Sequence, residues 1–222
     1  MNKLNHVAFI MDGNGRWGKK KGQGRNYGHL KGVEIVKKIV KASININIPI
    51  VTFYVFSTEN WKRPKKEINF LFKLIKSYFL KEIKSIIEQG IKINILGEIN
   101  GLSPSIKSTL KQTIKLTKNN KKIFVNLAIN YGSKNEIINA FKTNKQKLNI
   151  KNIEKKLYTQ NMANPDILIR TGGHQRLSNF MLWQLAYTEL FFLKKLWPDF
   201  NSNDLIKIIS KYKKNKRNFG GI

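Results

Sequence analysis

The chain has 222 residues and a formal net charge of +29 at pH 7, from 42 lysine and arginine residues against 13 aspartate and glutamate residues. It contains no cysteine, which excludes disulfide bonds, thiolate zinc sites and a cysteine nucleophile. No apolar run is long enough to span a membrane, and the apolar start has no signal-peptide cleavage site. We therefore expect a soluble, cytoplasmic chain that forms one domain over residues 1–222.

So large a positive charge favours a nucleic acid, an anionic membrane or a phosphorylated molecule as partner. Lysine, asparagine and isoleucine are all frequent, which indicates a general compositional bias. Arginine is rare, and five of the six arginines lie in stretches that contain glycine or tryptophan: Arg16, Arg25, Arg63, Arg170 and Arg176. Because a guanidinium binds phosphate through two parallel hydrogen bonds, this placement indicates discrete phosphate sites.

A short apolar strand over Val7 to Met11 leads into Asp12 and a run of glycines at positions 13, 15 and 18. Glycine lets successive backbone N–H groups turn toward one point, as in loops that hold phosphate. The spacing fits the dinucleotide motif G-x-G-x-x-G, but that motif needs a helix here, and Gly22 and Gly24 are expected to interrupt one. A P-loop is the other alternative, and it lacks its Ser or Thr because Lys20 stands there.

Neither phosphate motif explains Asp12 at the mouth of this loop. A carboxylate repels a phosphate unless a hard cation lies between them, so Asp12 suggests Mg²⁺ that bridges the protein and a diphosphate. The alternative is that Asp12 only caps a turn.

The rest of the chain alternates between helical and extended patterns. The predicted elements are a helix capped by Asn26 and reaching Ile44, a strand over 50–57, a helix over Glu67 to Glu88, a strand over Ile91 to Leu96, a helix over Ser103 to Thr117, a strand over Ile123 to Ile129, a weakly patterned helical region over 133–163, a strand over Asp166 to Arg170, a helix over Phe180 to Tyr187, a strand over Glu189 to Leu193 and a helix over Ser202 to Lys214. This order predicts an α/β fold, a single domain with a central, mainly parallel six-stranded sheet flanked by helices. Ligands bind beyond the carboxyl ends of such strands, where Asp12, Asn60, Tyr131 and Arg170 are expected to meet.

Two helices contribute further candidate features. Arg25 and His29 lie near the start of the first long helix and can form a second wall for an anion. His29 could equally be a structural histidine.

The helix over Glu67 to Glu88 has a wide apolar face, which is either ordinary core or the lining of a hydrocarbon tunnel. The members of this face are Ile68, Phe70, Leu71, Phe72, Leu74, Ile75, Tyr78, Phe79, Ile83, Ile86 and Ile87.

Five stretches, taken in order, resemble the cis-prenyltransferase family, in particular its undecaprenyl diphosphate synthases. They are HVAFIMDGNGRW, FSTENWKRP, NYG, IRTGG with RLSNFMLWQLAYTELFF, and LWPDF, and the resemblance runs from His6 to Gly221. It implies a homodimer with a parallel sheet and an apolar tunnel. It also implies Mg²⁺-dependent addition of isopentenyl diphosphate to an allylic diphosphate such as farnesyl diphosphate, which gives undecaprenyl diphosphate or a shorter cis-prenyl product.

The resemblance assigns roles by position. Asp12 is implied as a catalytic residue and Mg²⁺ ligand, and Glu189 as a second metal-linked carboxylate. The implied allylic diphosphate site comprises Gly13, Asn14, Gly15, Arg16, Arg25 and His29, with Trp17 beside it. The implied isopentenyl diphosphate site comprises Arg170, Arg176 and Ser178, with Leu177 beside it. The implied mobile loop comprises Ser57, Thr58, Glu59, Asn60, Trp61 and Arg63.

Asn60 matches a residue of the family that has been proposed to accept the proton. A neutral amide is a very poor base, so we expect Asn60 to position substrate while the released diphosphate takes the proton. The chain also departs from the family pattern, which usually has Glu at His174, often His at Gln175, and Arg at Asn218. These departures put in doubt a metal or subunit-crossing role for the three positions.

The alternatives belong to other classes of protein. The charge alone favours a basic nucleic-acid-binding protein. The focused arginines and the lack of a recognised motif oppose it, so we expect no nucleic-acid partner. A non-catalytic partner subunit is disfavoured because Asp12 and the arginines are present. The chain has only four aspartates, none adjacent, so prenyl chemistry would depend on arginines and one principal metal. Peripheral contact with a membrane stays open.

Overall fold

The computed structural model describes residues 2–216 and contains one six-stranded sheet. Its strands are β1 (His6–Ile10), β2 (Ile50–Ser57), β3 (Ile91–Leu96), β4 (Ile123–Tyr131), β5 (Ile167–Arg170) and β6 (Glu189–Phe192). They lie in the order β3-β4-β2-β1-β5-β6, and every neighbouring pair is parallel. The predicted α/β fold is therefore confirmed, and all strands end at one edge, which we call the carboxyl edge.

Within residues 2–216, seven helices cover the two faces of the sheet. They are α1 (Asn14–Lys20), α2 (Gly24–Asn45), α3 (Lys65–Glu88), α4 (Pro104–Thr117), α5 (Ser133–Thr143), α6 (Ile150–Glu154) and α7 (Ser202–Lys214), with 3₁₀ turns at Thr58–Lys62 and Trp197–Asp199. Alternate residues of β1 point to opposite faces, as the strand period requires. Val7 and Phe9 belong to the core cluster that includes residues of α2, α3, α4 and α7, whereas Ala8 and Ile10 belong to a second cluster that includes Phe180. Across residues 2–216, no helix is long and apolar enough to cross a membrane.

The glycine stretch after β1 forms a helix, so the expectation of an open loop was wrong. The glycines allow α1 to pack closely on α2. A Cβ atom at Gly18 would lie 2.0 Å from the carbonyl oxygen of Gly24, and one at Gly28 would lie 1.8 Å from that of Asn14. This close approach places the start of α2 beside Asp12 and its neighbours.

Three other element predictions need correction. α2 begins at Gly24, with Gln23 as its N-cap residue, so Asn26 is inside the helix. The 133–163 region forms only α5 and α6, and residues after Lys155 are turns. The predicted helix from Phe180 is a series of turns, because Ser178, Asn179 and Met181 all have positive φ angles, of 52°, 61° and 46°. The Asn218 departure lies outside the described residues.

Candidate active site

A polar cavity of about 240 Å³ opens at the carboxyl edge of the sheet. It lies between the ends of β1, β2 and β5 and the starts of α2 and α3. Its lining residues are Ile10, Met11, Asp12, Asn14, His29, Tyr54, Val55, Ser57, Asn60, Arg63, Leu71, Arg170 and Ser178. The structure thus brings Asp12, Asn60 and Arg170 together. Tyr131 does not line the cavity: its side chain is buried and its hydroxyl group donates to the Glu136 carboxylate.

Asp12 lies between two arginines. One carboxylate oxygen accepts a hydrogen bond of 3.1 Å from Arg16 Nη2, and the other accepts one of 3.0 Å from Arg170 Nη2. The backbone of Asp12 is also held, since its carbonyl accepts from the Thr171 hydroxyl at 2.8 Å. Gly172 leaves room for this arrangement, because a Cβ atom there would lie 2.5 Å from Arg16 Nη2. We call Asp12, Arg16 and Arg170 the Asp12 cluster.

Arg170 is the buried member of this cluster, with 5% of its side chain exposed. Its Nη1 donates to Ser178 Oγ at 2.8 Å and to the backbone carbonyl of Arg176. Its Nε atom is buried and has no hydrogen-bond partner among the residues that the structure describes. Arg170 is therefore oriented by the protein and still has one unused donor beside the cavity.

A second cluster, comprising Glu67, Arg25, Arg63 and His29, joins α2 to α3. Glu67 accepts two hydrogen bonds of 3.0 Å from Arg25 Nε and Nη2, and one of 3.1 Å from Arg63 Nη1. The hydrogen bonds from Arg25 lower the pKa of the Glu67 carboxyl group, and Glu67 raises that of Arg25. Sequence reasoning took Glu67 only as the start of a helix. Its spacing of four residues from Arg63 was the available signal. We call these four residues the Glu67 cluster.

His29 lies among two arginines and one carboxylate in the Glu67 cluster. Its pKa is lowered from 6.5 to about 4, mainly by burial and next by the charge of Arg63. Its Nε2 atom lies 3.7 Å from Glu67, which is too far for a hydrogen bond, and has no such partner within residues 2–216. His29 is therefore neutral at pH 7 before a ligand binds.

The grouping of arginines differs from the implied one. The resemblance placed Arg16 and Arg25 in one diphosphate site, whereas the structure joins Arg16 to Arg170 through Asp12 and Arg25 to Arg63 through Glu67. The sequence could not show this pairing, because it depends on which carboxylate lies near each arginine in the folded chain.

The glycines and Asn14 of the DGNGRW stretch shape the cavity in different ways. Gly13 adopts a φ of 109° against Leu196, and Gly15 makes space for the guanidinium group of Arg25, which a Cβ atom would approach to 2.8 Å. Asn14 lines the cavity and donates to the Met11 carbonyl at 3.1 Å, while its Oδ1 atom is buried without a partner in the described part of the chain.

The turn over residues 57–63 is tied to β2 and to the turn near Ser178. Asn60 Oδ1 accepts a hydrogen bond of 3.2 Å from the Ser57 backbone, which fixes the amide group beside the cavity. Glu59 accepts from Asn179 at 2.8 Å. Burial alone would raise the pKa of Glu59, but this hydrogen bond and others from Ser57 and Thr58 lower it overall.

Several implied substrate residues do not line the cavity. Thr58 packs against Gly132, and Trp61 donates to Asn130 Oδ1 at 2.7 Å. Trp17 donates to Asp199 at 2.7 Å and stacks on Tyr27, so it anchors α1. Leu177 packs in the core beside Phe180, and Arg176 is exposed on its turn.

Tyr54 was missed because it sits inside a strand. It lines the cavity and donates to the carbonyl groups of Tyr131 and Ser178.

Within one chain Glu189 lies away from Asp12, and its implied metal-linked role stays a prediction. Glu189 begins β6 and is level with Ile167 and Val7, whereas Asp12 follows the opposite end of β1. Its carboxylate accepts a hydrogen bond from Asn215. Over residues 2–216, no group of three or more His, Asp or Glu side chains is arranged to hold a metal ion.

An apolar cavity of about 110 Å³ continues from the polar one between α2, α3 and the sheet. The two share Met11, Asn14, His29, Val55 and Leu71. A narrower part of about 40 Å³ follows, shares Tyr78 and Phe79 with it, and reaches Ile86 and Gln89 at the end of α3. Of the predicted apolar face, the lining residues are Leu71, Leu74, Ile75, Tyr78, Phe79 and Ile86. Phe70 does not line it, while Val55 and Ile129 do.

The carboxyl edge of the sheet carries two arginine-rich clusters that can bind anions, and an apolar tunnel opens beside them. This combination is the one expected of an enzyme of prenyl diphosphate chemistry. Comparison with known families supports this class. Residues 10–220 match the prenyltransferase family model described as "Putative undecaprenyl diphosphate synthase". The chain therefore belongs to this prenyltransferase family.

Individual relatives agree along nearly the whole chain. An isoprenyl transferase of Oceanobacillus iheyensis is 43% identical over 227 residues, which cover 98% of this chain and 90% of that protein. A ditrans,polycis-undecaprenyl-diphosphate synthase of Pasteurella multocida, named as specific for (2E,6E)-farnesyl diphosphate, is 42% identical, with 97% and 94% covered. The crystal structure of lavandulyl diphosphate synthase from Lavandula x intermedia, in complex with dimethylallyl diphosphate, superposes with a TM-score of 0.92 at 31% identity, covering 97% and 98% of the two chains.

Proposed function

We propose that this protein condenses isopentenyl diphosphate with an allylic diphosphate, farnesyl diphosphate being the expected primer, and makes undecaprenyl diphosphate. The observation that carries the proposal is the junction of the polar and apolar cavities at Asn14, His29, Val55 and Leu71. A ligand that is ionic at one end and hydrocarbon at the other fits such a junction, because each end meets groups of its own polarity. The names of the relatives are consistent with this substrate class.

The allylic diphosphate is assigned to Arg16, Arg25, Asn14 and His29. Asn14 and His29 line both cavities, whereas Arg16 and Arg25 line neither and are held nearby by Asp12 and Glu67. Arg25 presents two parallel donors, which Glu67 accepts in the structure. A diphosphate has the same acceptor chemistry and more negative charge, so it can take over these donors. With the diphosphate bound, His29 would face an anion, which raises its pKa and favours its charged form.

Isopentenyl diphosphate is assigned to Arg170, Ser178 and Arg176. Arg170 is already oriented by Asp12 and Ser178, and its buried Nε atom is a donor without a partner in the described residues. Arg170 lines the polar cavity beside Ser178, so a phosphate oxygen there would meet a positive charge that the protein already holds in place. Arg176, exposed on the adjacent turn, can reach a ligand in the same region.

Asp12 is the candidate ligand for Mg²⁺. Its carboxylate is 27% exposed beside the cavity, and oxygen donors suit this ion. One carboxylate is a sparse site, but Mg²⁺ commonly binds through one or two carboxylates together with substrate phosphates. The residues present therefore fit Mg²⁺ that arrives with a diphosphate. When bound, the ion would supply charge neutralisation for the departing diphosphate.

The reaction then follows from the placement of the two substrates. The bond between C1 of the allylic chain and its diphosphate oxygen breaks, and C1 bonds to the terminal alkene carbon of isopentenyl diphosphate. A proton leaves C2 of the added unit, which restores a double bond. Arg16 and Arg25 hold the leaving group, and Asn60 positions the reacting unit. The released diphosphate is the base, since an amide is too weak.

We also propose that the enzyme acts as a cytoplasmic homodimer. Exposed apolar side chains on α5 and β6 support a contact between copies: Ile138 and Phe141 on the helix, and Leu190 on the strand. β6 lies at the edge of the sheet, where its outer hydrogen-bonding groups can meet a second chain. Sedimentation of the purified protein tests this, and a monomer at micromolar concentration would contradict it.

A shorter cis-prenyl diphosphate is the second candidate product, favoured by the narrow distal part of the cavity. The test is to incubate the protein with farnesyl diphosphate, labelled isopentenyl diphosphate and Mg²⁺, then remove the diphosphate and size the lipids. A parallel reaction with dimethylallyl diphosphate as primer separates the two candidates. Long polyprenols from farnesyl diphosphate support undecaprenyl diphosphate as the product. Absence of any elongated lipid with either primer would contradict the proposal.

A further inference from the structure

The edge of the sheet opposite the catalytic cleft carries exposed apolar side chains from three helices. α2, α3 and α4 each follow a parallel strand and run back, so their last turns lie together at this edge. Ile46, Ile87 and Leu116 stand at these ends and are 37%, 39% and 46% exposed. Lys76 donates to Ser105 Oγ, which fixes α3 and α4 side by side, and Ile87 and Leu116 lie the same number of residues beyond that contact. This equal spacing places the two side chains at a similar level along the two helices.

Lysines lie close to this apolar pair in the sequence, together with one exposed carboxylate, Glu88. Lys84, Lys115, Lys118 and Lys122 are exposed, and within residues 2–216 none of them forms an ion pair. Lysine at the C-terminal end of a helix stabilises the helix dipole, which can account for Lys115. It does not account for the exposed apolar pair, nor for lysines in the turn after α4.

The apolar cavity leads toward the same edge. Its distal part is lined by Ile86, Gln89 and Ile91, and Ile86 is the residue directly before Ile87 on α3. If the proposed function holds, the far end of the growing hydrocarbon lies just beneath this surface. Such a product partitions into lipid, so a lipid surface near the tunnel end would receive it without exposure to water.

We propose that this amino-edge patch, formed by Ile87, Leu116, Lys84, Lys115, Lys118 and Lys122, docks on an anionic phospholipid bilayer. Interleaved lysine and large aliphatic side chains suit the interface, where lysines pair with lipid phosphates and the aliphatic groups enter the acyl boundary. A nucleic-acid surface would use the lysines but gain nothing from Ile87 and Leu116. The reason for membrane docking rests on the proposed function. The position of the docking surface rests on the charge and exposure of these side chains.

The test is co-sedimentation of the full chain with vesicles of phosphatidylcholine alone or with phosphatidylglycerol. The charge variant combines Lys84→Gln, Lys115→Gln, Lys118→Gln and Lys122→Gln, and the apolar variant combines Ile87→Ser and Leu116→Ser. A control makes the same charge change at lysines that are not next to a large exposed aliphatic side chain, with Lys19→Gln, Lys20→Gln, Lys213→Gln and Lys214→Gln. Each surface lysine contributes several-fold to binding, so the charge variant should bind anionic vesicles roughly tenfold or more weakly than the control.

Binding of the wild type and control that is lost in both patch variants supports the inference. Equal binding by the charge variant and the control overturns it, as does failure of the wild type to bind anionic vesicles. Patch-dependent binding to random duplex DNA, with no loss from the apolar variant, would also overturn it in favour of nucleic acid. Turnover of farnesyl and isopentenyl diphosphates in detergent is measured in the same proteins and should be equal. Absence of turnover in the wild type would count against the proposed function and leave the vesicle result to be judged alone.

Discussion

The two carboxylates at the mouth of the cleft hold their arginines in different environments. Asp12 binds Arg170, which is almost wholly buried and is also held by Ser178. Glu67 binds Arg25 and Arg63, whose side chains are 43% and 33% exposed. Moving Arg170 would break several buried hydrogen bonds. Arg25 can exchange the Glu67 carboxylate for another acceptor without breaking buried contacts. We infer that the pair of Asp12 and Arg170 is a preset anchor, whereas Arg16, with 46% of its side chain exposed, and the Glu67 cluster can exchange their partners.

The largest effect should come from removing the charge of Asp12. Asp12→Asn is expected to reduce turnover by orders of magnitude, because the proposed metal ligand is lost. Chelation of Mg²⁺ should do the same to the wild type. The variant also leaves Arg170 buried without its carboxylate, so the free energy of unfolding should fall by about 1–3 kcal/mol. Turnover and urea unfolding are measured together.

Asp204→Asn is the matched control for Asp12→Asn, since Asp204 pairs with an exposed lysine, Lys195, away from the cavity. It should keep full turnover. Near-normal turnover of Asp12→Asn in Mg²⁺ would show that Asp12 does not act through a metal.

Replacing one exposed arginine of each assigned diphosphate site tests whether Arg25 and Arg176 serve different substrates. Arg25→Ala should raise the apparent Michaelis constant for the allylic diphosphate, and Arg176→Ala that for isopentenyl diphosphate, each by about ten- to a hundredfold. Arg25→Lys should recover only part of the loss, because an ammonium group lacks the paired donors. Each substrate is titrated at a saturating concentration of the other. Equal effects of both variants on both substrates would mean one shared anion pocket.

Enlarging the apolar cavity should change the length of the product. Ile129→Ala and Leu74→Ala remove lining groups and should shift products to longer chains. Ile39→Ala is the control, because Ile39 is fully buried in the core without lining the cavity. It should cost about 2–5 kcal/mol of stability and leave product length unchanged. Identical length distributions in all three variants would place the cavity outside the product path.

The smallest effect concerns the two histidines that are neutral in the folded chain. Burial lowers the pKa of both His6 and His29 from 6.5 to about 4. Between these values the unfolded chain binds more protons, so stability is complete above pH 6.5 and falls as the pH drops toward 4. The free energy of unfolding should decrease by about 2 kcal/mol for each histidine from pH 7 to pH 5, and therefore by about half as much in His29→Gln. A slope unchanged by His29→Gln would show that folding does not lower the pKa of His29.

The sequence predicted the fold because its signals are local. Strands such as Ile91–Leu96 combine β-branched residues with clear boundaries, and Ser103 with Pro104 marks the start of α4. The helix predicted from Phe180 failed for a different reason. Its apolar residues have a helical appearance, but the positive φ angles at Ser178, Asn179 and Met181 are set by tertiary contacts, including the hydrogen bonds of Asn179 with Glu59 and the 133–134 backbone.

The candidate site was predicted in part for similar reasons. The strand-end rule located Asp12, Asn60 and Arg170 at one edge without any knowledge of their contacts. It could not show that Glu67, from the start of α3, reaches Arg25 on another helix. It also could not distinguish glycines that hold a ligand from glycines such as Gly18 and Gly28, which bring α1 and α2 into contact.

A crystal structure with the non-cleavable analogue farnesyl thiodiphosphate and Mg²⁺ tests the central claim most directly. We predict that the diphosphate lies within hydrogen-bond distance of Arg25, which has turned from Glu67, while Arg170 keeps its contact with Asp12. The hydrocarbon should run between α2 and α3 past Leu71 and Ile75. A diphosphate held by Arg170 with Arg25 still paired to Glu67, or a chain that leaves the cavity between α2 and α3 empty, would contradict the account.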